Sequence, residues 1–279
     1  MRGEKVMSRT ILAVALAGSL LGFSAASAIA AGEPPVPPRQ KWSFSGPFGK
    51  WDKAQLQRGF KVYREVCGVC HGLNLLSFRN LADLGFSEGQ IKTIAAEYKV
   101  QDGPNDQGEM FERNGRPADR FPPPWPNENA ARARYNGVPP DFSVLAKART
   151  YERGFPWFIV DIFTQFQEQG VDYIHALMVG YKDKPPAGFT LPAGTFYNEY
   201  FPGHTLTMPP PLSDKRVDYT DGAPTTVDQY SKDVAAFMMW AAEPTLETRK
   251  RIGLQVMIFL IVFAGLLYYT KKRVWADAH

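Results

Sequence analysis

Cysteine and histidine are scarce: two of the first and four of the second in 279 residues. No second Cys/His pair stands at zinc-finger spacing, so a structural zinc site, which needs four ligands, is excluded. Charge of one sign is also missing from the middle of the chain. The net charge is +4, but residues 1–30 carry +2 and residues 249–279 carry +5, leaving −3 for residues 31–248. A mildly acidic body suits a basic partner better than a nucleic acid. Internal repeats and a convincing set of strands are absent too.

What is present is concentrated in Cys67-Gly68-Val69-Cys70-His71, which uses both cysteines. Cys-x-x-Cys-His is the attachment site of c-type haem. Two thiols one helical turn apart each add to a vinyl group, and the adjacent His71 becomes the proximal iron ligand. One covalently bound haem c on Cys67 and Cys70 is therefore expected. The rival is a thioredoxin-like redox pair, which normally opens a helix after a buried strand. Here Gln55 to Val66 reads as helix, so the pair lies near a helix C-terminus, where partial negative charge raises a thiol pKa.

Both ends of the chain carry membrane signals. Arg2, Lys5 and Arg9 precede the 13 apolar residues Ile11 to Phe23, and small residues follow, with Ala28-Ile29-Ala30 a fitting cleavage site. Thirteen residues are too few to cross a bilayer, so residues 1–30 read as a cleaved signal peptide, with Met7 an alternative start. Ile252 to Thr270 gives 19 residues interrupted only by Gln255. As a helix it would be about 28 Å long, close to the hydrocarbon thickness. Three basic residues flank each side, so charge does not orient it. Export of everything before it does: residues 31–248 form a periplasmic domain, 249–273 a transmembrane anchor, and 274–279 a cytoplasmic tail at a bacterial inner membrane.

Between the signals the chain reads as mainly α with long irregular loops. Pro34, Pro35, Pro37 and Pro38 make an extended lead-in. Asp52 caps a helix from Lys53 to Val66, with Leu56, Phe60 and Tyr63 on one face. Further helices are expected at Ser87–Tyr98, Asn129–Tyr135, Phe142–Arg149 and Tyr173–Val179. Thr226-Val227-Asp228-Gln229 reads as a capping box opening a helix from Val227 to Ala242. Residues 101–125 and 182–212, rich in Gly and Pro, read as packed functional loops.

An electron-carrying haem needs its second axial position filled. His175, in a helical segment, suits a core or surface role, and His279 lies across the membrane. His204 and Met208 remain as candidates. Met208 heads Met208-Pro209-Pro210-Pro211, whose prolines bar regular structure and present a ligand from a rigid loop. A thioether would also raise the reduction potential.

These pieces together resemble cytochrome c1, the c-type haem subunit of the quinol–cytochrome c oxidoreductase (cytochrome bc1) complex. The matching residues are Arg58-Gly59-Phe60-Lys61-Val62-Tyr63 before the haem motif, Val100-Gln101-Asp102-Gly103-Pro104-Asn105, and Asn136-Gly137-Val138-Pro139-Pro140-Asp141. Tyr173, Met208-Pro209-Pro210-Pro211, Asp221-Gly222, Trp240-Ala241-Ala242-Glu243-Pro244 and the C-terminal anchor complete the set. The resemblance implies a class I cytochrome c-like helical haem domain with one transmembrane helix. It implies Met208 as sixth ligand, Arg149 as the partner of a haem propionate, and Pro139 or Pro140 as an acceptor for the His71 Nδ1 hydrogen. No cysteine is spare for the extra disulfide some bacterial members carry before the methionine. The implied role is respiratory electron transport, one electron from the Rieske iron–sulfur subunit to soluble or tethered cytochrome c, beside cytochrome b in a dimeric complex. Catalysis would belong to that complex, with no catalytic side chain in this subunit.

Overall fold

The computed structural model describes residues 34–151, 155–156, 159–160 and 169–277. The expected signal peptide, residues 1–30, lies outside them. The described helices are α1 (Lys53–Glu65), α2 (Glu88–Ala96), α3 (Glu128–Tyr135), α4 (Leu145–Ala148), α5 (Gln169–Val179), α6 (Val227–Ala242) and α7 (Leu246–Val274). Short 3₁₀ turns stand at Cys67–Val69, Phe78–Leu84 and Pro202–His204.

α6 is the centre of the domain, touching α1, α4 and α5. It is buried almost all round, from Tyr230 through Trp240. Its start differs from the expected capping box. The Thr226 side chain accepts from Gln229 N at 3.3 Å, but the Gln229 amide turns to Asp233 Oδ1 at 2.8 Å instead of back to Thr226. Asp233 is fully buried, and its charge draws donors more strongly than a cap backbone does. α1 starts as expected, with Asp52 Oδ1 accepting from Gln55 N at 3.1 Å, and buries Leu56, Gly59, Phe60, Val62 and Tyr63.

α1 meets α6 at Gly59. A Cβ there would stand 2.0 Å from the Asp233 carbonyl oxygen and 2.7 Å from Phe237 Cβ, so only glycine permits this approach. Beside it, Arg58 binds Asp233 at 2.9 Å and Asp221 at 2.6 Å. Burial alone would lower the Arg58 pKa, but the two carboxylates outweigh it and raise it. The core continues through aromatic rings: Phe60 to Phe237 at 5.7 Å, Phe78 to Phe121 at 4.2 Å and Tyr63 to Phe142 at 5.9 Å.

Two small antiparallel sheets depart from the expected loops. β1 (Lys99–Asp102) pairs with β2 (Phe111–Asn114), Lys99 opposite Asn114. β3 (Phe196–Tyr197) pairs with β4 (Thr205–Leu206). The first hairpin is held by polar groups: Arg113 joins Asp102, and reaches Asp119 at 2.5 Å, while Asn105 Oδ1 accepts from Gln107 N and Glu109 N at 3.0 and 2.9 Å. Its strands are largely exposed, so no alternating apolar pattern betrays them. The expected Phe142–Arg149 helix shrinks to the single turn of α4, because Phe142 N pairs with Gly72 O and Leu75 N takes the Ser143 hydroxyl.

α7 has 29 residues and a mean hydropathy of 2.2 in its most apolar stretch, long and apolar enough to cross a membrane. Only residues 243–245 separate it from α6, and Glu243 clamps the junction. Its carboxylate accepts from Lys147 on α4 at 2.5 Å and from Arg249 on α7. Burial pushes the Glu243 carboxyl up, but these two cations hold it below its usual range. Trp51 N donates to Glu247 at 2.7 Å, and Lys250 Nζ to the Phe44 and Gly46 carbonyls at 2.5 Å each.

Gly59→Ala is expected to destabilise the domain by about 1–3 kcal/mol, as overpacking does. Gly89→Ala, in the exposed first turn of α2 where a Cβ meets nothing, should stabilise by about 0.5 kcal/mol. Thermal unfolding followed by circular dichroism checks both signs.

Candidate haem site

The Cys-x-x-Cys-His motif begins where α1 runs out. Val66 N still bonds to Val62 O, and Cys70 N and His71 N both close on Cys67 O at 3.0 and 2.9 Å. This tight turn puts the two thiols on one short loop, both half-buried and unbridged. Burial, and then the neighbouring Cys70, push the Cys67 thiol up to about 12, the reverse of what a redox nucleophile needs. Among the described residues no three His, Cys, Asp or Glu side chains gather as a metal cage.

His71 is held on several sides. Its Nδ1 lies 2.7 Å from the Pro140 carbonyl oxygen. A carbonyl only accepts, so Nδ1 carries the hydrogen and Nε2 keeps the lone pair a metal requires. The ring stacks on Phe142 at 4.4 Å and 28°. Burial lowers its pKa, outweighing the Pro140 bond, so the imidazole is neutral, the form that ligates. Tyr63 Oη donates to the His71 carbonyl at 3.0 Å, and Trp125 Nε1 to the Cys70 carbonyl at 3.0 Å. Trp125 in turn packs edge-on against Tyr135 at 4.8 Å. The Pro-rich run 122–126 is thus a strap across the attachment loop.

Asp141 fixes the carbonyl that orients His71. Its Oδ1 accepts from Ser143 N at 2.8 Å and its Oδ2 from Asn74 N at 2.9 Å, joining residues 139–143 to the chain just after the motif. Tyr63, Trp125, Asp141, Phe142 and Ser143 all support the motif from outside it. The family resemblance implies Pro139 or Pro140 as the acceptor for His71, and the hydrogen bond falls on Pro140; Trp125 lies at the end of the loop 101–125, and no spacing rule joins it to Cys70.

The remaining expected residues lie along a second chain of contacts. Tyr181 Oη donates to the Met208 carbonyl at 3.1 Å. Burial raises the Tyr181 pKa, with Tyr173 on α5 adding to it. Burial likewise raises Tyr173, and the positive charge of Arg149 acts against it. Arg149 is exposed at the end of α4 and makes no ion pair among the described residues. His204 is buried, with Nδ1 3.1 Å from the Asn198 carbonyl and its ring stacked on Tyr197 at 5.5 Å. His175 is buried between α5 and α6, with Nε2 2.9 Å from Asp228 Oδ1.

These features fit a haem. Val69 and Leu75 are each 60% exposed beside the motif, and Val138 and Val144 flank the Pro140–Phe142 segment with open apolar surface. An apolar macrocycle would cover such a surface, the two thiols would hold it, and the unpaired Arg149 suits a carboxylate. A mainly helical domain with a c-type haem motif and a membrane-spanning helix defines the class: a membrane-anchored c-type cytochrome, carrying one covalently bound haem c and transferring electrons.

The chain belongs to the Cytochrome C1 family, whose sequence profile matches residues 42–278. It is 57% identical over 282 residues to Cytochrome b/c1 of Bradyrhizobium diazoefficiens, covering 100% of this chain and 41% of that longer protein. Against Cytochrome c1 of Blastochloris viridis it is 52% identical, covering 96% of this chain and 95% of the other. Against the mitochondrial Cytochrome c1 haem protein of Saccharomyces cerevisiae it is 41% identical, covering 86% and 72%.

Asp141→Ala would leave two backbone N–H groups unpaired beside the motif and cost about 1–3 kcal/mol, read as a lower thermal midpoint of the haem-loaded chain. His175 gives a pH dependence. Burial lowers its pKa from 6.5 despite Asp228, so below that pH the unfolded chain takes up a proton the folded chain refuses. Stability should fall on acidification from pH 7 to 5.5, and fall less in His175→Gln, as denaturant melts at the two pH values would report.

Proposed function

We propose that this chain is the haem subunit of a quinol–cytochrome c oxidoreductase complex. It takes one electron from a Rieske iron–sulfur subunit and passes it to a soluble or tethered cytochrome c. The single observation that carries the reading is the His71 Nδ1 hydrogen bond to the Pro140 carbonyl, which fixes a neutral imidazole with Nε2 available, inside a sequence of the family's order. When bound, the haem supplies a one-electron couple at its iron.

The side chains then have distinct tasks. Cys67 and Cys70 hold the haem by thioether bonds, and His71 is the proximal ligand. Met208 is the sixth ligand: the prolines after it and the Tyr181 bond to its carbonyl hold the loop backbone that presents it. His204 has its Nδ1 engaged with Asn198 and its ring against Tyr197, which favours a structural role. Arg149 balances a haem propionate, its charge already working beside the Tyr173 hydroxyl.

Residues 1–30 are a cleaved signal peptide, 31–248 a periplasmic haem domain, 249–273 the anchor, and 274–279 a cytoplasmic tail. Cytochrome b and the Rieske protein are the neighbours in the membrane, in a dimeric complex. The short, clamped junction at Glu243 supports a fixed subunit over a freely swinging carrier.

The tagged chain, drawn from its native membranes in mild detergent, should reduce added cytochrome c with quinol and lose that activity to a quinol-site inhibitor. A haem-loaded preparation without such activity, with other complexes intact, would make the chain a tethered carrier. Met208→Leu should keep the covalent haem, lower its potential by on the order of 0.2 V and stop electron flow, since axial ligands command a range of roughly 0.8 V. An unchanged potential would remove Met208 from the iron.

A further inference from the structure

The segment that leads to Met208 is built around one enclosed side chain, Asn198, whose polar atoms are all engaged. Its Nδ2 donates to the Leu177 carbonyl on α5 at 2.8 Å, and its Oδ1 accepts from Tyr200 N at 3.0 Å. Its backbone N donates to the His204 carbonyl at 3.0 Å, and its carbonyl oxygen lies 3.1 Å from His204 Nδ1. A carbonyl only accepts, so that nitrogen carries the hydrogen. His204 thus closes on Asn198 through backbone and ring together, across the turn between β3 and β4.

The turn is strained where it closes. His204 has a φ of 56°, uncommon for a residue with a side chain, directly after Gly203 at 75°. Such backbone persists only where its surroundings hold it, and it gathers at ligand clamps. Here the His204 ring stacks on Tyr197, and Phe189 stands edge-on to Tyr197 at 5.2 Å. Met208 lies just past β4. Its carbonyl accepts from Tyr181, and Tyr181 pairs with Asn198 as an isolated antiparallel bridge. The Met208 loop is therefore tied to the end of α5 twice, once through Tyr181 and once through His204 and Asn198.

We propose that Asn198 and His204 form a latch that keeps Met208 on the iron. They are positioning residues and act through the turn. Closed, it holds the methionine in reach; open, it lets the thioether withdraw and another ligand enter. The proposal rests on Met208 being the sixth ligand. A latch that favours the bound methionine must be favoured by it in return, because coupling between two equilibria is reciprocal.

The test uses the haem-loaded full chain in nonionic detergent, with imidazole competing for the sixth position of the oxidised iron. His204→Ala should keep the covalent haem but bind imidazole about tenfold more tightly, the factor that goes with one lost buried hydrogen bond. Its reduction potential should fall as methionine ligation weakens. His204→Asn should behave as wild type, since its amide nitrogen stands where Nδ1 stands and asparagine accepts positive φ. Wild-type imidazole affinity and potential in His204→Ala would overturn the latch, as would a His204→Asn chain no better than His204→Ala. Should His204→Ala fail to load haem, the wild type decides. Saturating imidazole should then speed hydrogen exchange at the Asn198 backbone N–H about tenfold, by the same reciprocity, and unchanged exchange would overturn the proposal. Met208→Leu separates the latch from the ligand assignment beneath it. If that variant loses the sulfur-to-iron absorption band while the latch variants match wild type, the latch alone fails. If the band survives, Met208 is not the ligand and both fail.

Discussion

The close approach of α1 and α6 at Gly59 is the constraint on which the rest of the structure depends. It brings a helix backbone to within contact of the Asp233 carbonyl and lets Arg58 reach both Asp233 and Asp221. A buried ion pair is seldom a source of net stability, but removing either partner leaves an uncompensated charge, so the pair fixes register more than it adds energy. The haem motif hangs from the C-terminal end of α1, and the anchor follows directly from the end of α6. One crossing therefore sets where the haem stands relative to the membrane helix.

A second level of rigidity comes from polar ties at each end of that pair. At the haem end, the Tyr63, Trp125 and Asp141 bonds satisfy backbone groups of a loop with little regular structure of its own. At the membrane end, Glu243 gathers Lys147 and Arg249, while Lys250 and Glu247 bind the loop before α1. Buried backbone groups must be paired somewhere, and long loops pair them through side chains drawn from distant positions. That explains how a domain with few strands and extended irregular segments still holds a ligand histidine in one orientation.

The pKa directions agree with this account. Burial lowers the His71 pKa and raises that of Cys67, so both side chains favour their uncharged forms. Charges are kept where they meet a counter-charge, as at Arg58 and Glu243, or remain in solvent, as at Arg149. Uncharged thiol and imidazole groups beside the open apolar surface of Val69 and Leu75 suit an apolar redox group.

The sequence by itself determined the haem motif, the class of the protein, the helices with clear caps and stripes, and the apolar span, because each of these is a local pattern of spacing and polarity. Asp52 before α1 and the Leu56, Phe60 and Tyr63 stripe were legible for that reason, as was the short junction after α6. Tertiary structure decided the rest. The β1–β2 hairpin depends on Arg113 meeting Asp102 and Asp119, and its strands carry no apolar alternation. Gln229 left its cap for Asp233 only because α1 and α6 bury that carboxylate. That Pro140, 69 residues from His71, orients it and not Pro139 was decided by packing, as was the Trp125 donor to Cys70, 55 residues away. No periodicity links such positions: contacts between remote segments follow from how helices pack, and packing is a property of the whole chain.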